Sequence, residues 1–98
     1  LDVLLLSEAL PKGSVVEIIP IAVLLLKDET GTMTKIIAVP QDASLRVIQA
    51  VDFTDFLIKY DAAKRIIEEW FTHYRGVHKV ISLGWRDQSY ALSLAPKF

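Results

Sequence analysis

The sequence predicts a small α+β domain with about four or five strands and two helices. Short apolar runs bounded by turn residues, such as residues 21–26 and 35–39, predict the strands. Apolar residues spaced along one helical face predict a long amphipathic helix over residues 61–75. With 98 residues, 52% of them hydrophobic and 23% charged, the chain is one small domain or a piece of one, and it is not disordered.

In the first third of the chain, the sequence predicts strands separated by turns. Residues 1–6 are Leu and Val apart from Asp2 near the start, which predicts a buried strand, and Pro11 and Gly13 predict a turn after it. Residues 15–19 and 21–26 then predict either one long strand or two, with Pro20 between them. Because proline cannot donate a ladder hydrogen bond, Pro20 indicates a sheet edge or a bulge.

The chain next turns at a tip that carries charges of both signs. Asp28 and Glu29 stand where the apolar run stops, and Lys35 begins the next run. The residues between them include Gly31, which accepts a positive φ, so residues 30–32 can reverse the chain. Judged by pattern alone, a solvated hairpin tip is the commoner explanation of such charges, and a functional site is the less common one.

In the middle of the chain, the sequence predicts an irregular segment followed by the longest helix. Residues 41–54 predict a mostly irregular crossing loop with one short turn, and Thr54 or Asp55 can cap a short helical turn over residues 56–60. Asp61 is a good N-cap for the long helix, and Gly76 suits its C-terminal end. The helix carries one apolar stripe: Ala63, Ile66, Ile67, Trp70, Phe71 and Tyr74.

Burial of that stripe requires a surface to pack against. Burying Ile66, Ile67, Trp70 and Phe71 is worth ~1.5–3 kcal/mol each before entropy is counted. We therefore expect this helix to pack on a sheet or on a partner. After it, residues 79–83 predict a strand, Gly84 and Trp85 a tight corner, and Asp87 the cap of a short C-terminal helix over residues 88–94.

Composition excludes several classes of function. The chain has no cysteine, which excludes disulfides and thiolate metal sites and agrees with a reducing compartment such as the cytoplasm or an organelle matrix. Its net charge of −1 provides no basic field, so we expect no nucleic-acid partner. Its apolar runs are far shorter than the ~20 residues of a membrane helix, so we expect no membrane partner. Two histidines, His73 and His78, flank the end of the long helix without a third ligand nearby, which is typical of surface residues.

Four segments, in order, resemble the soluble (family I) inorganic pyrophosphatases. Residues 1–4, Leu-Asp-Val-Leu, are similar to the end of the family's D-G-D-P-x-D-V-L box. Residues 21–29 and 35–40 are similar to the strand that ends in a conserved Asp and to the strand with the Lys that follows it. Residues 70–75 are similar to its F-F-x-x-Y-K box, and residues 83–85 to its E-G-W box.

The resemblance implies a fold, a reaction and a set of site residues. The fold is a small, twisted, OB-like β-barrel with the long helix beside it. The reaction is hydrolysis of pyrophosphate to two phosphates with Mg²⁺ as cofactor, because Mg²⁺ activates a water and neutralises phosphate charge. The implied metal ligands are Asp2 and Asp28. The implied phosphate contacts are Lys35, Tyr74 and Arg75.

The chain also departs from the family pattern. Met33 stands where the family has a second Asp, and a thioether is a poor ligand for a hard cation. Arg75 replaces the family's Lys, which keeps the charge and changes the donor geometry. The general base belongs to the part of the Asp box that would precede Leu1, so residues 1–98 are expected to be a single pyrophosphatase-like domain without its N-terminal part.

Two hypotheses follow. The first is a pyrophosphatase whose site is incomplete in this chain, so that the 98 residues alone turn over pyrophosphate weakly or not at all. The second is a pyrophosphatase-like domain without catalysis that serves as a structural or interaction module. The high apolar content agrees in both cases with a homo-oligomer or a larger assembly, because so small a chain cannot bury all of it.

Overall fold

The computed structural model describes residues 2–73 and 79–94, which form a four-stranded sheet with helices on both of its faces. The elements in chain order are β1 (Asp2–Leu5), β2 (Ile18–Asp28), β3 (Gly31–Pro40), a 3₁₀ turn (Ala43–Leu45), α1 (Phe53–Lys59), α2 (Asp61–His73), β4 (Ile81–Arg86) and α3 (Gln88–Ser93).

The sheet is mixed, with the strand order β1-β3-β2-β4. β1 runs parallel to β3, while β3 and β4 both run antiparallel to β2. The predicted α+β class is confirmed, and the sheet agrees with a twisted, OB-like arrangement. Within the described residues β1 and β4 are the two outer strands, so this sheet is open and does not close into a barrel.

The β2–β3 hairpin forms the centre of the sheet. Its register pairs Asp28 with Gly31, so Glu29 and Thr30 make a two-residue loop. Gly31 adopts a φ of 132°, a conformation that side chains with a Cβ rarely take. The Asp28 carboxylate accepts hydrogen bonds from the Thr30 backbone N–H at 2.8 Å and from its hydroxyl. These local contacts confirm the predicted hairpin, and its loop is residues 29–30 instead of the predicted 30–32.

Pro20 lies inside a single strand, so the one-strand alternative is correct. The pairing register of β2 with β3 shifts between Pro20 and Ala22, which is the bulge that a proline was expected to mark. The strand begins at Ile18, whereas the apolar pattern placed its start at residue 15.

Successive side chains of a strand point to opposite faces of the sheet, so the buried residues form a core on each face. On one face, Ala22 and Ile37 pack with Phe56 of α1, and Ile67 of α2 packs against the same cluster. On the other face, Val23 and Ile36 pack with Ala91 of α3. The helices α1 and α2 therefore cover one side of the sheet, and α3 covers the other.

Two helix caps differ from the expectation and one agrees with it. The N-cap of α1 is Asp52, whose carboxylate accepts from the backbone N–H of Asp55, so the helix starts earlier than a cap at Thr54 or Asp55 allows. Asp61 is the first helical residue of α2 and pairs with Lys64 and Arg65 instead of standing outside the helix as a cap. Asp87 caps α3 as expected, accepting from the backbone N–H of Tyr90.

The burial predicted for four large residues of the α2 stripe is wrong for two of them. Ile67 and Phe71 pack on the sheet, but Ile66 is 66% exposed and Trp70 is 53% exposed. The helix meets the sheet along a narrower line than the apolar stripe covers, so one apolar row is left at the surface.

Two strand predictions also need correction. β1 is an outer strand whose first residues, Asp2 and Val3, are exposed, so it is not a buried strand. Trp85 lies within β4 and pairs with Leu24, whereas the sequence indicated a corner there. The Gly84–Trp85 signal reflects a register shift in the β2–β4 pairing, where Gly84 adopts a φ of 101°.

Among the helices in residues 2–73 and 79–94, none is both long enough and apolar enough to cross a membrane.

Candidate functional site

Three of the implied site residues, Asp2, Asp28 and Lys35, lie in the described part of the chain, on one face of the sheet. Side chains two residues apart on a strand share a face, so Leu24, Leu26 and Asp28 of β2 lie on the same side. Their partners across the β2–β3 ladder are Lys35, Met33 and Gly31 respectively. Since Asp2 of β1 pairs with Lys35, it joins the same row. This is the face that α2 covers.

Asp2 and Lys35 form an ion pair at the open end of this face. The Lys35 Nζ donates to Asp2 Oδ2 at 2.5 Å. The two side chains differ in environment, because Lys35 is only 15% exposed whereas Asp2 is 74% exposed. The hydrogen bond from Lys35, reinforced by its charge, lowers the pKa of the Asp2 carboxyl below its ordinary value of 3.8.

An aromatic ring also faces the Lys35 ammonium. The Nζ atom lies 5.6 Å from the centroid of the Phe71 ring, within the range of a cation–π contact. Phe71 in turn meets Trp70 edge-on, with their ring centroids 4.8 Å apart. The C-terminal half of α2 thus provides an aromatic wall beside a charge provided by β3.

These side chains surround a cavity of ≈ 200 Å³. Its charged end is the Asp2–Lys35 pair, and the remainder of its described lining is apolar or aromatic. The lining residues are Asp2, Leu26, Met33, Lys35, Trp70, Phe71 and Val80. We call this space the Lys35 pocket.

Asp28 lies outside the Lys35 pocket. Its partner Gly31 is four residues from Lys35 along β3, which corresponds to about 13 Å of strand. The Asp28 side chain is buried in the hairpin turn, where residue exposure is 8% and Thr30 supplies two hydrogen bonds. The two carboxylates that the resemblance implies as metal ligands, Asp2 and Asp28, are therefore far apart along the strand direction.

Met33 lies on β3 between Gly31, the partner of Asp28, and Lys35, the partner of Asp2. It is half-buried and packs against the cluster of Leu24, Leu26 and Val80. A thioether at this place supplies no oxygen ligand, although Mg²⁺ requires several. Within residues 2–73 and 79–94, no group of three or more His, Cys, Asp or Glu side chains converges to hold a metal ion. The described residues therefore do not by themselves fit a magnesium site.

Two implied phosphate contacts, Tyr74 and Arg75, lie outside the described residues. They follow directly on His73, the last residue of α2, which is exposed. Of the five implied site residues, the described part of the chain brings Asp2 and Lys35 together and sets Asp28 apart.

Sequence reasoning missed the apolar part of the pocket. Trp70 and Phe71 were assigned to a core stripe, but both line the Lys35 pocket. The signal was present, since both residues belong to the box that ends in Tyr74 and Arg75. A further contact, the hydrogen bond from the Ser82 hydroxyl to the Glu68 carboxylate, joins β4 to α2. Nothing in the sequence pattern pointed to that pair.

The chemistry available in the pocket follows from these groups. A largely buried ammonium next to an exposed carboxylate can bind an anion if the carboxylate turns aside. The aromatic and thioether wall offers apolar contact and no proton transfer. The described pocket is therefore suited to binding more than to acid–base catalysis.

Comparison with known proteins shows which sequences this chain is similar to. The family model described as inorganic pyrophosphatase matches residues 1–97. The chain is 38% identical over 89 residues to an inorganic pyrophosphatase of Aeropyrum pernix, covering 87% of this chain and 49% of that protein. It is 31% identical over 96 residues to that of Mesorhizobium japonicum, covering 93% and 52% respectively.

A solved structure gives the same result. The crystal structure of inorganic pyrophosphatase from Thermus thermophilus superposes with a TM-score of 0.72 and 31% identity, over 93% of this chain and 52% of that one. The chain thus spans about half the length of the curated relatives that it matches.

Proposed function

We propose, because this chain belongs to the inorganic pyrophosphatase family, that it supplies the phosphate-binding side of a site that hydrolyses inorganic pyrophosphate to two phosphates. The observation that carries the proposal is the Lys35 ammonium, largely buried at the charged end of the pocket. By resemblance, Tyr74 and Arg75 complete the phosphate contacts. The general base belongs to the Asp box of which the chain holds only Asp2, so we expect the 98 residues alone to react weakly or not at all.

Lys35 suits this role for physical reasons. Its low exposure weakens the competition of water, so a charge-assisted hydrogen bond to a phosphate oxygen is stronger there than on an open surface. Asp2 competes for the same ammonium, but an ion pair with so exposed a partner contributes little and breaks at small cost. An incoming phosphate can therefore replace Asp2 as the partner of Lys35.

Mg²⁺ is the proposed cofactor of the complete family-type site, with Asp2 and Asp28 as the ligands from this chain. In the chain alone, one exposed carboxylate paired with Lys35 and another hydrogen-bonded in a turn are too few and too distant to hold the ion. We therefore expect no strong Mg²⁺ binding by the 98 residues.

The second candidate function is a structural or interaction module without catalysis. It is favoured by Met33, which replaces an oxygen ligand with a packed thioether, and by the exposed apolar row of α2. Under this hypothesis the pocket binds no pyrophosphate, and the fold acts only through its surface.

A homo-oligomer is the assembly that we propose, with the outer face of α2 in the interface. Ile66 and Trp70 form its apolar centre, and Arg65 and Glu69 lie beside them with opposite charges. If two copies pack their α2 helices antiparallel about a two-fold axis, Arg65 of each faces Glu69 of the other, while Ile66 meets Trp70. The face is therefore complementary to itself. As its location we propose a reducing compartment, the cytoplasm or an organelle matrix.

The test is phosphate release from pyrophosphate in the presence of Mg²⁺. Wild type is compared with Lys35→Gln and Asp28→Asn, prepared identically so that a contaminating host enzyme would appear equally in all three. Weak release that disappears in both variants supports the proposal. Release that is the same in all three is contamination and contradicts it.

Absence of release is informative if pyrophosphate binding is measured by calorimetry on the same samples. Binding that requires Lys35 indicates an incomplete site. No binding in any sample favours the interaction module.

A further inference from the structure

The Lys35 pocket has two chemically different halves. Among the described lining residues, the charged half holds one cation, Lys35, with Asp2 at its exposed edge. The other half consists of Met33, Leu26 and Val80 from the strand side and Phe71 from α2, with Trp70 at the rim. A ligand that contacts both of these described halves would therefore be anionic at one end and apolar at the other.

We propose that this pocket binds a phosphate monoester with an apolar organic group, the phosphate on Lys35 and the organic group against Met33 and Phe71. The inference rests on the proposed function, because it uses the same lysine as the phosphate contact. It differs in the ligand, since inorganic pyrophosphate has no apolar part.

Among the described residues, the wall opposite Lys35 offers phosphate oxygens no partner beyond the Lys35 ammonium. The faces of aromatic rings carry negative charge, so the Phe71 face that attracts the Lys35 ammonium repels phosphate oxygens. The Met33 thioether offers those oxygens no hydrogen bond. Phosphate oxygens that lose water there without gaining a partner raise the free energy of binding.

The same wall favours an organic group. Apolar surface gains free energy on leaving water, and methionine sulfur makes favourable contacts with aromatic rings. The volume is adequate, because an apolar cavity of about 150 Å³ is enough to bind benzene. The Lys35 pocket has ≈ 200 Å³, which leaves room for a phosphate beside a phenyl-sized group.

Asp2 does not block this ligand. Its carboxylate is 74% exposed on an outer strand and can turn into water when a phosphate takes its place on Lys35. The phosphate then carries the charge that Asp2 carried before, and the ammonium stays paired throughout.

The experiment compares two probes of equal anionic head, phenyl phosphate and inorganic phosphate, by isothermal calorimetry at neutral pH. We expect phenyl phosphate to bind about tenfold more tightly, corresponding to partial burial of one ring. Lys35→Gln should remove binding of both probes. Met33→Asp should remove the preference, because a carboxylate then faces the ring and the phosphate.

A matched control is Leu92→Ser, which changes an exposed residue of α3 on the opposite face of the sheet. It should keep the affinities of both probes. Equal or weaker binding of phenyl phosphate by wild type overturns the proposal, as does a preference that survives Met33→Asp. No binding of either probe also overturns it.

Failure of this inference is distinguishable from failure of the proposed function. If calorimetry shows that pyrophosphate binds through Lys35 while phenyl phosphate gains nothing over phosphate, only the organic-ligand inference fails. If phenyl phosphate binds and pyrophosphate does not, the pocket binds organic phosphates, and the proposal that it contributes to pyrophosphate hydrolysis fails.

Discussion

Replacing Met33 with aspartate tests how the chain departs from its family. The substitution puts an oxygen ligand at the position where the family has its second Asp, between the levels of Asp2 and Asp28. We expect Met33→Asp to lower the stability of the chain without metal and to make that stability depend on Mg²⁺. Wild type should show neither behaviour.

The magnitude follows from the packing of Met33. Full burial of a methionine is worth ~1.5–3 kcal/mol, so losing a half-buried one costs about 1 kcal/mol. A partly buried carboxylate without a full set of partners costs about 1 kcal/mol more. In a domain near 100 residues, the total of about 2 kcal/mol lowers Tm by about 8–16 °C. Mg²⁺ at ten times its Kd would return about 1.4 kcal/mol.

Thermal unfolding followed by circular dichroism, in EDTA and in Mg²⁺, measures both effects. Met33→Asn is the matched control, because it loses the same apolar contacts and adds no charge. It should be destabilised like Met33→Asp and should not respond to Mg²⁺. Unchanged stability of Met33→Asp in EDTA would show that Met33 is not packed as described. An equal response of both variants to Mg²⁺ would refute the reasoning about the missing ligand.

Three further predictions concern the fold. Leu24→Ala, which empties a fully buried position, should destabilise the chain by about 2–5 kcal/mol in urea titrations, and a cost below 1 kcal/mol would contradict the assigned core. Gly31→Ala should cost about 1 kcal/mol or more in the same titrations, because its φ of 132° strains any residue with a Cβ; no cost would contradict the hairpin geometry. Because the pKa of Asp2 is lowered on folding, the small stabilisation by its ion pair exists above pH 3.8 and disappears as pH falls through the lowered pKa. The Tm difference between wild type and Asp2→Asn should therefore vanish in acid, and a difference that grows there would refute this assignment.

Local sequence patterns were sufficient to predict the elements that are determined by contacts between residues close in the chain. The hairpin tip follows from Asp28, Gly31 and their immediate neighbours, and the α3 cap follows from Asp87 alone. The periodicity of α2 also gave a helix that begins at Asp61, while its predicted end at residue 75 lies outside the described residues. In each case the residues that determine the structure lie within one or two turns of chain, so the pattern contains the information.

Tertiary contacts explain the failures. Periodicity shows that Ile66, Ile67, Trp70 and Phe71 share a stripe, but only the docking of α2 on the sheet decides that Ile67 and Phe71 face inward. Likewise the Gly84–Trp85 pair looks like a corner locally. Pairing with β2 through a register shift keeps Trp85 in the strand, and that pairing depends on residues about sixty positions away.

The candidate site was predictable in its residues and not in its arrangement. The resemblance supplied Asp2 and Lys35, but their contact depends on parallel pairing of strands 33 residues apart. The ion pair between Asp2 and Lys35 can therefore be identified only from the three-dimensional structure. The apolar half of the pocket was hidden for the same reason, because it joins residues of β2, β3 and α2 to Val80.

The most direct measurement of the central claim is pyrophosphate binding by calorimetry, comparing wild type with Lys35→Gln. The substituted glutamine keeps most of the length of the side chain and removes its charge. If Lys35 is the phosphate contact of this pocket, wild type binds and the variant loses at least about tenfold in affinity, as expected for a charge-assisted hydrogen bond. Equal affinity in the two proteins would mean that pyrophosphate binds elsewhere and that the pocket is not a phosphate site.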